Sequence, residues 1–376
     1  MEASLNPGRF RHSRCLSGYP RDHITERDLS EMEITEVGVR ETIQEASSEK
    51  IEGRPTIRMQ DALLCDMNLP LRGRFYPLGY PIEILTNDPG VLESAQETFG
   101  HARLSRTIPA LQLRIGVVSG EAGTECPSAP TRREYNHLYS LVADANNQAM
   151  LDLKTGINFT WLTQAAVSNK IYFRYNFLEK VVYLLLGASA VTDLHAACVS
   201  KNGKGILVFG DSGAGKSTLA YACARSGWTY TSDDTSYLIN ESDPPRVIGH
   251  SHRARFRPSA KSLFPELEHR QISPRLEGKP SIEVSISELP VSNTATEATI
   301  DFIIYLNRCP SAEATLISLP NGTATQRACQ ELYSAGEIRA KHESILSVLS
   351  NIPTYELRYC DLYQGVEVLD RLTAEN

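Results

Sequence analysis

Positions 210 to 217 read Gly-Asp-Ser-Gly-Ala-Gly-Lys-Ser, a spelling that fills every fixed position of the phosphate-loop pattern G-x-x-x-x-G-K-[ST]. Its flanks are the required ones. Ile206, Leu207, Val208 and Phe209 form an apolar run of strand type before it, and residues 218 to 225 form a helix-compatible stretch after it, closed by Gly227. A strand that turns sharply into a helix at this pattern predicts an α/β architecture. Glycines let backbone N–H groups close around phosphate oxygens, and the following helix N-terminus adds its positive end. The sequence therefore predicts a nucleoside-triphosphate site built from Gly210, Asp211, Ser212, Gly213, Ala214, Gly215, Lys216, Ser217 and Thr218. In it Lys216 reaches the outer phosphates and the Ser217 hydroxyl ligates magnesium.

One helix and one short strand later the chain reads Trp228-Thr229-Tyr230-Thr231-Ser232-Asp233-Asp234. Ligands in open α/β sheets bind outside the carboxyl ends of the strands. Asp233 and Asp234 are therefore predicted to face the same crevice as the loop. Upstream, Asp193 to Val199 and the loop strand flank the sequence Ser200-Lys201-Asn202-Gly203-Lys204. Asn-Gly between two apolar runs is a strong hairpin signal. With Asn202 and Gly203 at its centre, Lys201 pairs with Lys204, and counting outward sets His195 opposite Gly210. Directly opposed residues have Cβ atoms about 4.5–5.5 Å apart, so the hairpin delivers an imidazole to the mouth of the loop.

The ordered set of His195, the phosphate loop and the Asp-Asp pair resembles the catalytic core of HPr kinase/phosphorylase and its wider relatives. Those enzymes are similar in fold to phosphoenolpyruvate carboxykinase. The tail, Ile-Pro-Thr-Tyr-Glu-Leu-Arg-Tyr from Ile352 and Gly-Val-Glu-Val-Leu-Asp from Gly365, resembles their final strand and closing helix. The resemblance covers roughly residues 190 to 375 and is specific from His195 to Asp234. It implies a P-loop kinase core of the HPr kinase/phosphoenolpyruvate carboxykinase type, with ATP and Mg2+ as cofactors. It also implies roles: Lys216 as the β/γ-phosphate contact, Ser217 as a magnesium ligand, Asp233 as general base on a substrate hydroxyl, and Asp234 and His195 as its supporting groups, Asp234 toward the metal. One segment departs from the family. The Glu-x-Arg-Gly type of segment expected downstream has no counterpart in the stretch from Gly249 to Pro258, so neither HPr as substrate nor the reverse phosphorolysis carries over.

That same stretch holds Arg253, Arg255 and Arg257 in alternation, with Lys261 and Lys279 nearby. One strand face is thus expected to present several guanidinium groups, and either phosphate contact or a solvated basic edge would use them.

At 376 residues the chain exceeds one typical domain. Its hydrophobic content of 41% suits a soluble globular protein, and a net charge of -7 argues against non-specific nucleic-acid binding. The richest apolar run, from Val181 to Ala188, is too short to span a bilayer, and the polar, charged N-terminus carries no secretory pattern. The 8 cysteines form no C-x-x-C pair, so neither a zinc site nor a disulfide framework is signalled, and a reduced cytoplasmic setting is expected.

Residues 1 to 60 are charged and poor in apolar periodicity, which predicts a disordered or loosely attached arm. Residues 61 to 190 read as a smaller mixed α/β N-terminal domain, and 191 to 376 as the nucleotide-binding catalytic domain. In the former, strands are predicted near 80–85, 111–118, 139–143 and 149–153, with a helix from Pro89 capped by Asp88. In the latter, residues 299 to 306 read as a buried strand and 324 to 349 as one or two helices. The functional reading is an ATP- and magnesium-dependent kinase acting on a hydroxyl, a serine of a peptide or protein, without nucleic-acid or membrane partners. A regulatory NTPase acting through a partner and a small-molecule kinase remain alternatives, and homo-oligomerisation is left open.

Overall fold

The computed structural model describes residues 68–118, 125–273, 280–309, 313–332, 334 and 336–374. The predicted arm at 1 to 60 and Lys279 lie outside the described residues. The described part is mixed α/β, with parallel and antiparallel strands in four sheets among the described residues.

The first sheet is built from β1 (Leu71–Phe75), β2 (Ile82–Thr86), β3 (Leu111–Val118), β4 (Thr131–Tyr135), β5 (Leu138–Asp144), β6 (Asn147–Asp152) and β7 (Asn158–Thr163), in the order β1-β2-β3-β7-β6-β5-β4. The four predicted strands are β2, β3, β5 and β6. Helix α1 (Pro89–Phe99) starts where the sequence sets it: Asp88 is extended and its carboxylate accepts from the Gly90 N–H at 2.8 Å. Such a cap satisfies one of the orphan amides of the first turn. β4 was not legible as a strand, because its sequence, Thr-Arg-Arg-Glu-Tyr, is exposed throughout; it closes the sheet edge with charge.

A helical run then leads out of this sheet: α2 (Gln164–Ser168), α3 (Lys170–Phe173), a π-helical turn (Arg174–Leu178) and α4 (Glu179–Ser189). The π turn inserts extra backbone into the spiral, a device frequent at functional sites. Here it turns Arg174 and Tyr175 toward the second half of the molecule. Most of the apolar run 181 to 188 is buried in α4, with Tyr183 and Leu184 partly exposed, and no helix among the described residues is long and apolar enough to cross a membrane.

The second half contributes β8 (Val191–Leu194), β9 (Ala197–Lys201), β10 (Lys204–Phe209), α5 (Lys216–Arg225), β11 (Thr229–Ser232), β12 (Ser236–Ile239), β13 (Arg246–Gly249), β14 (Arg253–Phe256), β15 (Ile282–Ser285), β16 (Asn293–Thr294), β17 (Glu297–Thr299), β18 (Phe302–Arg308), β19 (Thr315–Ser318), α6 (Thr323–Glu331), α7 (Gly336–Leu346), β20 (Thr354–Tyr359) and α8 (Leu362–Ala374). The larger sheet runs β16-β11-β9-β10-β18-β20-β19, a smaller one β17-β13-β12-β8, and β14 pairs with β15. β10 is fully flanked by β9 and β18, which explains its unbroken apolar run. Its residues Ile206, Leu207 and Val208 are completely buried. The closing helix α8 is tied to the sheet through Asp370, whose carboxylate accepts from the Trp228 indole at 2.7 Å and from Lys201 at 2.6 Å.

Two predicted strands are in fact bent in two. The apolar run from Asp193 to Val199 breaks at His195 and Ala196, and the run from Thr299 to Leu306 breaks at Ile300 and Asp301. At each break the chain leaves the smaller sheet and enters the larger one.

Candidate active site

The Asn202-Gly203 turn forms as expected, with φ of 54° and 78°, the positive pair that a tight hairpin of this kind needs. Lys201 pairs with Lys204 and the register continues to Ala197 and Val208. β9 is antiparallel to both β10 and β11. The carboxyl ends of β10 and β11 therefore lie at the same sheet edge as the amino end of β9. That edge collects the phosphate loop, the Asp pair and His195.

Two crossings meet there. β8 passes into β9 through His195 and Ala196, and β11 passes into β12 through Asp233, Asp234 and Thr235. Because β8 also pairs with β12, with Leu194 opposite Ser236, the two corners run side by side. The Ser236 hydroxyl pins them by donating to the Ala196 carbonyl at 2.9 Å. A register shift between Tyr230 and Ser232 marks a bulge just before the Asp pair, the kind of irregularity that re-aims neighbouring side chains. Gly249 allows it: a Cβ there would stand 2.3 Å from the Thr231 carbonyl oxygen.

Within the loop, Gly215 caps α5 in the left-handed region at φ 106°, where only glycine is free of strain. Lys216 is buried and its ammonium donates to the Gly210 carbonyl at 2.6 Å. It also stands 3.0 Å from His195 Nε2. Burial lowers the Lys216 pKa, against the opposing pull of Asp234, Glu331 and Asp211. A charged Lys216 makes His195 Nε2 the acceptor, which puts the ring proton on Nδ1, 3.7 Å from Asp234. The Ser217 hydroxyl donates to the Asp233 carbonyl at 3.2 Å. Lys216, Ser217, His195, Asp233 and Asp234 are thus brought together; Asp211 and Ser212 are exposed on the loop's outer turn.

The two carboxylates differ sharply. Asp233 is buried, with one oxygen accepting from the Tyr230 hydroxyl at 3.0 Å and the other from the Arg255 backbone N–H at 2.9 Å. Burial, and then the charge of Asp234, push its carboxyl up to about 6. Asp234 is half-exposed, between His195 and the Arg255 guanidinium, 4.0 Å away.

Both line a cavity of about 470 Å³ that contains no loop residue in its wall. Its charged lining is a network the sequence did not signal. Glu179 accepts from Arg174 at 3.0 Å and from Arg253 at 3.1 Å; Glu283 accepts from Arg174 at 3.3 Å, from Arg255 at 3.1 Å and from the Tyr175 hydroxyl. Burial raises Glu283, but the Tyr175 hydroxyl and the guanidiniums of Arg174 and Arg255 outweigh it and hold the carboxyl at about 2. Arg253 and Arg255 share a face of β14 as the alternation predicts. Arg257 lies beyond the strand and outside the cavity lining, and Lys261 serves the backbone, donating to the Glu268 and Arg270 carbonyls at 2.8 Å. No local pattern flags Arg174, Tyr175, Glu179 or Glu283, which come from a π turn, a helix start and a strand more than one hundred residues apart.

No family model matches the chain, and no curated protein does. Among solved structures, the Hpr(Ser) kinase/phosphatase from Coxiella burnetii is a weak neighbour: 13% identical, with 49% of this chain and 92% of that chain covered and a TM-score of 0.29.

Proposed function

We propose that this chain is an ATP- and magnesium-dependent phosphotransferase of the HPr-kinase-like type that moves a γ-phosphoryl group to a hydroxyl, a serine of a peptide or protein. The observation that carries this reading is the meeting of Lys216, Ser217, His195 and the Asp pair at one sheet edge beside a cavity. The residues fit a magnesium nucleotide. Gly215 gives the loop its left-handed turn into α5, and Ser217 with Asp234 offers the hard oxygen donors that magnesium takes. Bound nucleotide and metal supply the transferable phosphoryl group and neutralise its charge.

The protein's own part is positioning and proton handling. His195 and the Gly210 carbonyl hold the Lys216 ammonium at the loop mouth. Asp233, anionic above about pH 6, takes the proton of the attacking hydroxyl, and its fixed partners Tyr230 and the Arg255 amide keep it oriented.

A regulatory NTPase is the second reading, favoured by the fact that both Asp233 oxygens already hold internal partners. The comparison is nucleotide affinity beside transfer from labelled ATP in two variants. Lys216→Ala is expected to lose nucleotide binding and transfer together. Asp233→Asn is expected to keep binding and lose transfer by about 10²–10⁴-fold, the usual contribution of a positioned base. An Asp233→Asn protein that loses binding as well places Asp233 at the metal and favours the regulatory reading.

A further inference from the structure

The cavity beside the Asp pair holds arginines that stand apart from the phosphate loop. Arg253 and Arg255 stand two apart on β14, so their side chains share a face. Each guanidinium is hydrogen-bonded to its carboxylate through one nitrogen. Arg253 gives Nη2 to Glu179 at 3.1 Å, while its Nη1 stands 3.7 Å from Glu283, beyond hydrogen-bond length. Arg255 gives Nη2 to Glu283 at 3.1 Å; its Nη1 is 4.0 Å from Asp234, and its buried Nε has no hydrogen-bond partner among the described residues. A guanidinium held through one nitrogen by a carboxylate, with further N–H groups left to donate, is already oriented for a carboxylate or phosphate. A buried donor without a partner costs stability until something accepts from it. The lining also holds aromatic rings: Tyr183 and Tyr237 stack at 5.3 Å with His250 edge-on to both.

We propose that Arg253 and Arg255 form an anion clamp, and that the phosphoryl acceptor carries a carboxylate or phosphate group beside its reacting hydroxyl; this rests on the phosphotransferase reading of the same site. The clamp serves the acceptor rather than the nucleotide because the wall it belongs to includes Arg174, Glu179 and Glu283 and no residue of the loop. A cavity of about 470 Å³ accommodates a small hydroxy acid or a serine with one acidic neighbour.

The test uses the full chain saturated with magnesium ADP, which leaves the place of the transferring group open, and titrates inorganic phosphate in one arm and succinate in the other by calorimetry. At least one anion is expected to bind, and the arm in which it does so identifies the acceptor's group. Arg253→Gln is expected to weaken it about tenfold or more, the loss of one charge-assisted fork. Arg253→Lys keeps the charge beside Glu179, so it guards against misfolding, and it should weaken binding by a smaller factor. No binding of either anion to the wild type overturns the clamp, as does unchanged affinity in a folded Arg253→Lys and Arg253→Gln pair. Loss of the anion when a non-hydrolysable ATP analogue replaces ADP also overturns it, because the clamp then takes the transferring group. If magnesium ADP itself fails to bind, the phosphotransferase reading fails, and the same titrations on nucleotide-free protein still judge the clamp.

Discussion

Burial and the neighbouring Asp234 raise the Asp233 carboxyl to about 6, about two units above an ordinary aspartate. Between those two values the folded chain holds a proton that the unfolded chain has released, so stability falls as pH rises from about 4 to about 6. Two units correspond to about 3 kcal/mol. Asp233→Asn removes that dependence. The variant is expected to be more stable than the wild type at pH 7.5 by up to about 3 kcal/mol, with the gap closing near pH 4. Urea denaturation at both pH values checks this, and a gap that does not narrow on acidification refutes it. If Asp233 is the base of the proposed transfer, transfer by the wild type should also fall as pH drops through about 6, because that carboxylate becomes protonated. At this scale the sequence showed Lys216, Ser217, His195 and the Asp pair, since a loop and a hairpin bring them together by local counting. Arg174, Tyr175, Glu179 and Glu283 were hidden because only tertiary packing joins them.

The hairpin of β9 and β10 and the helix α1 were legible because Asn-Gly and Asp-Pro fix backbone geometry within two residues. The bends at His195 and at Ile300 were not. Their apolar residues continue through the corner, since both sheets bury them, and a change of partner strand leaves no mark in periodicity. The corner at the Asp pair depends on close contact between β13 and the bulge of β11. Gly249→Ala would put its Cβ 2.3 Å from the Thr231 carbonyl oxygen and 2.7 Å from Ser232 Cβ, and neither is a flexible side-chain end. The variant is expected to lose about 1–3 kcal/mol of stability, the range for overpacking. Its turnover should fall too, because the displaced backbone carries Asp233. A thermal melt with a transfer assay reads both, and a Gly249→Ala protein unchanged in each shows that the contact relaxes without moving the site.

Across the whole molecule, acid acts first on histidines. Burial, reinforced by neighbouring histidines and arginines, lowers His250 to about 3 and His252 to about 4, and burial with Arg174 lowers His101, whose ring lies 3.5 Å from that of His252. Below about pH 6.5 the unfolded chain binds protons that the folded one refuses, so these groups destabilise the protein as pH falls. Asp233 acts oppositely in an overlapping window, which is why its effect is read as a difference between variant and wild type. Glu283 adds a loss only as pH falls from about 4.5 toward 2. Replacing His252 with Asn is expected to flatten the decline in stability between pH 6.5 and 4.5, and an identical pH profile in urea refutes the assignment.

The site's two sides are written differently in the chain. The phosphate-loop side is nearly contiguous, one hairpin strand, the loop and α5, followed closely by the Asp pair. The cavity side is gathered from the π turn, α4, β14 and β15, and its Arg174, Glu179, Arg253, Arg255 and Glu283 are partners of one another. A heritable change on that side can therefore arise within one short stretch of the gene. A change on the cavity side has to pass through substitutions that each strand a partner's charge, so related chains should drift slowly there and then diverge in several of these positions at once.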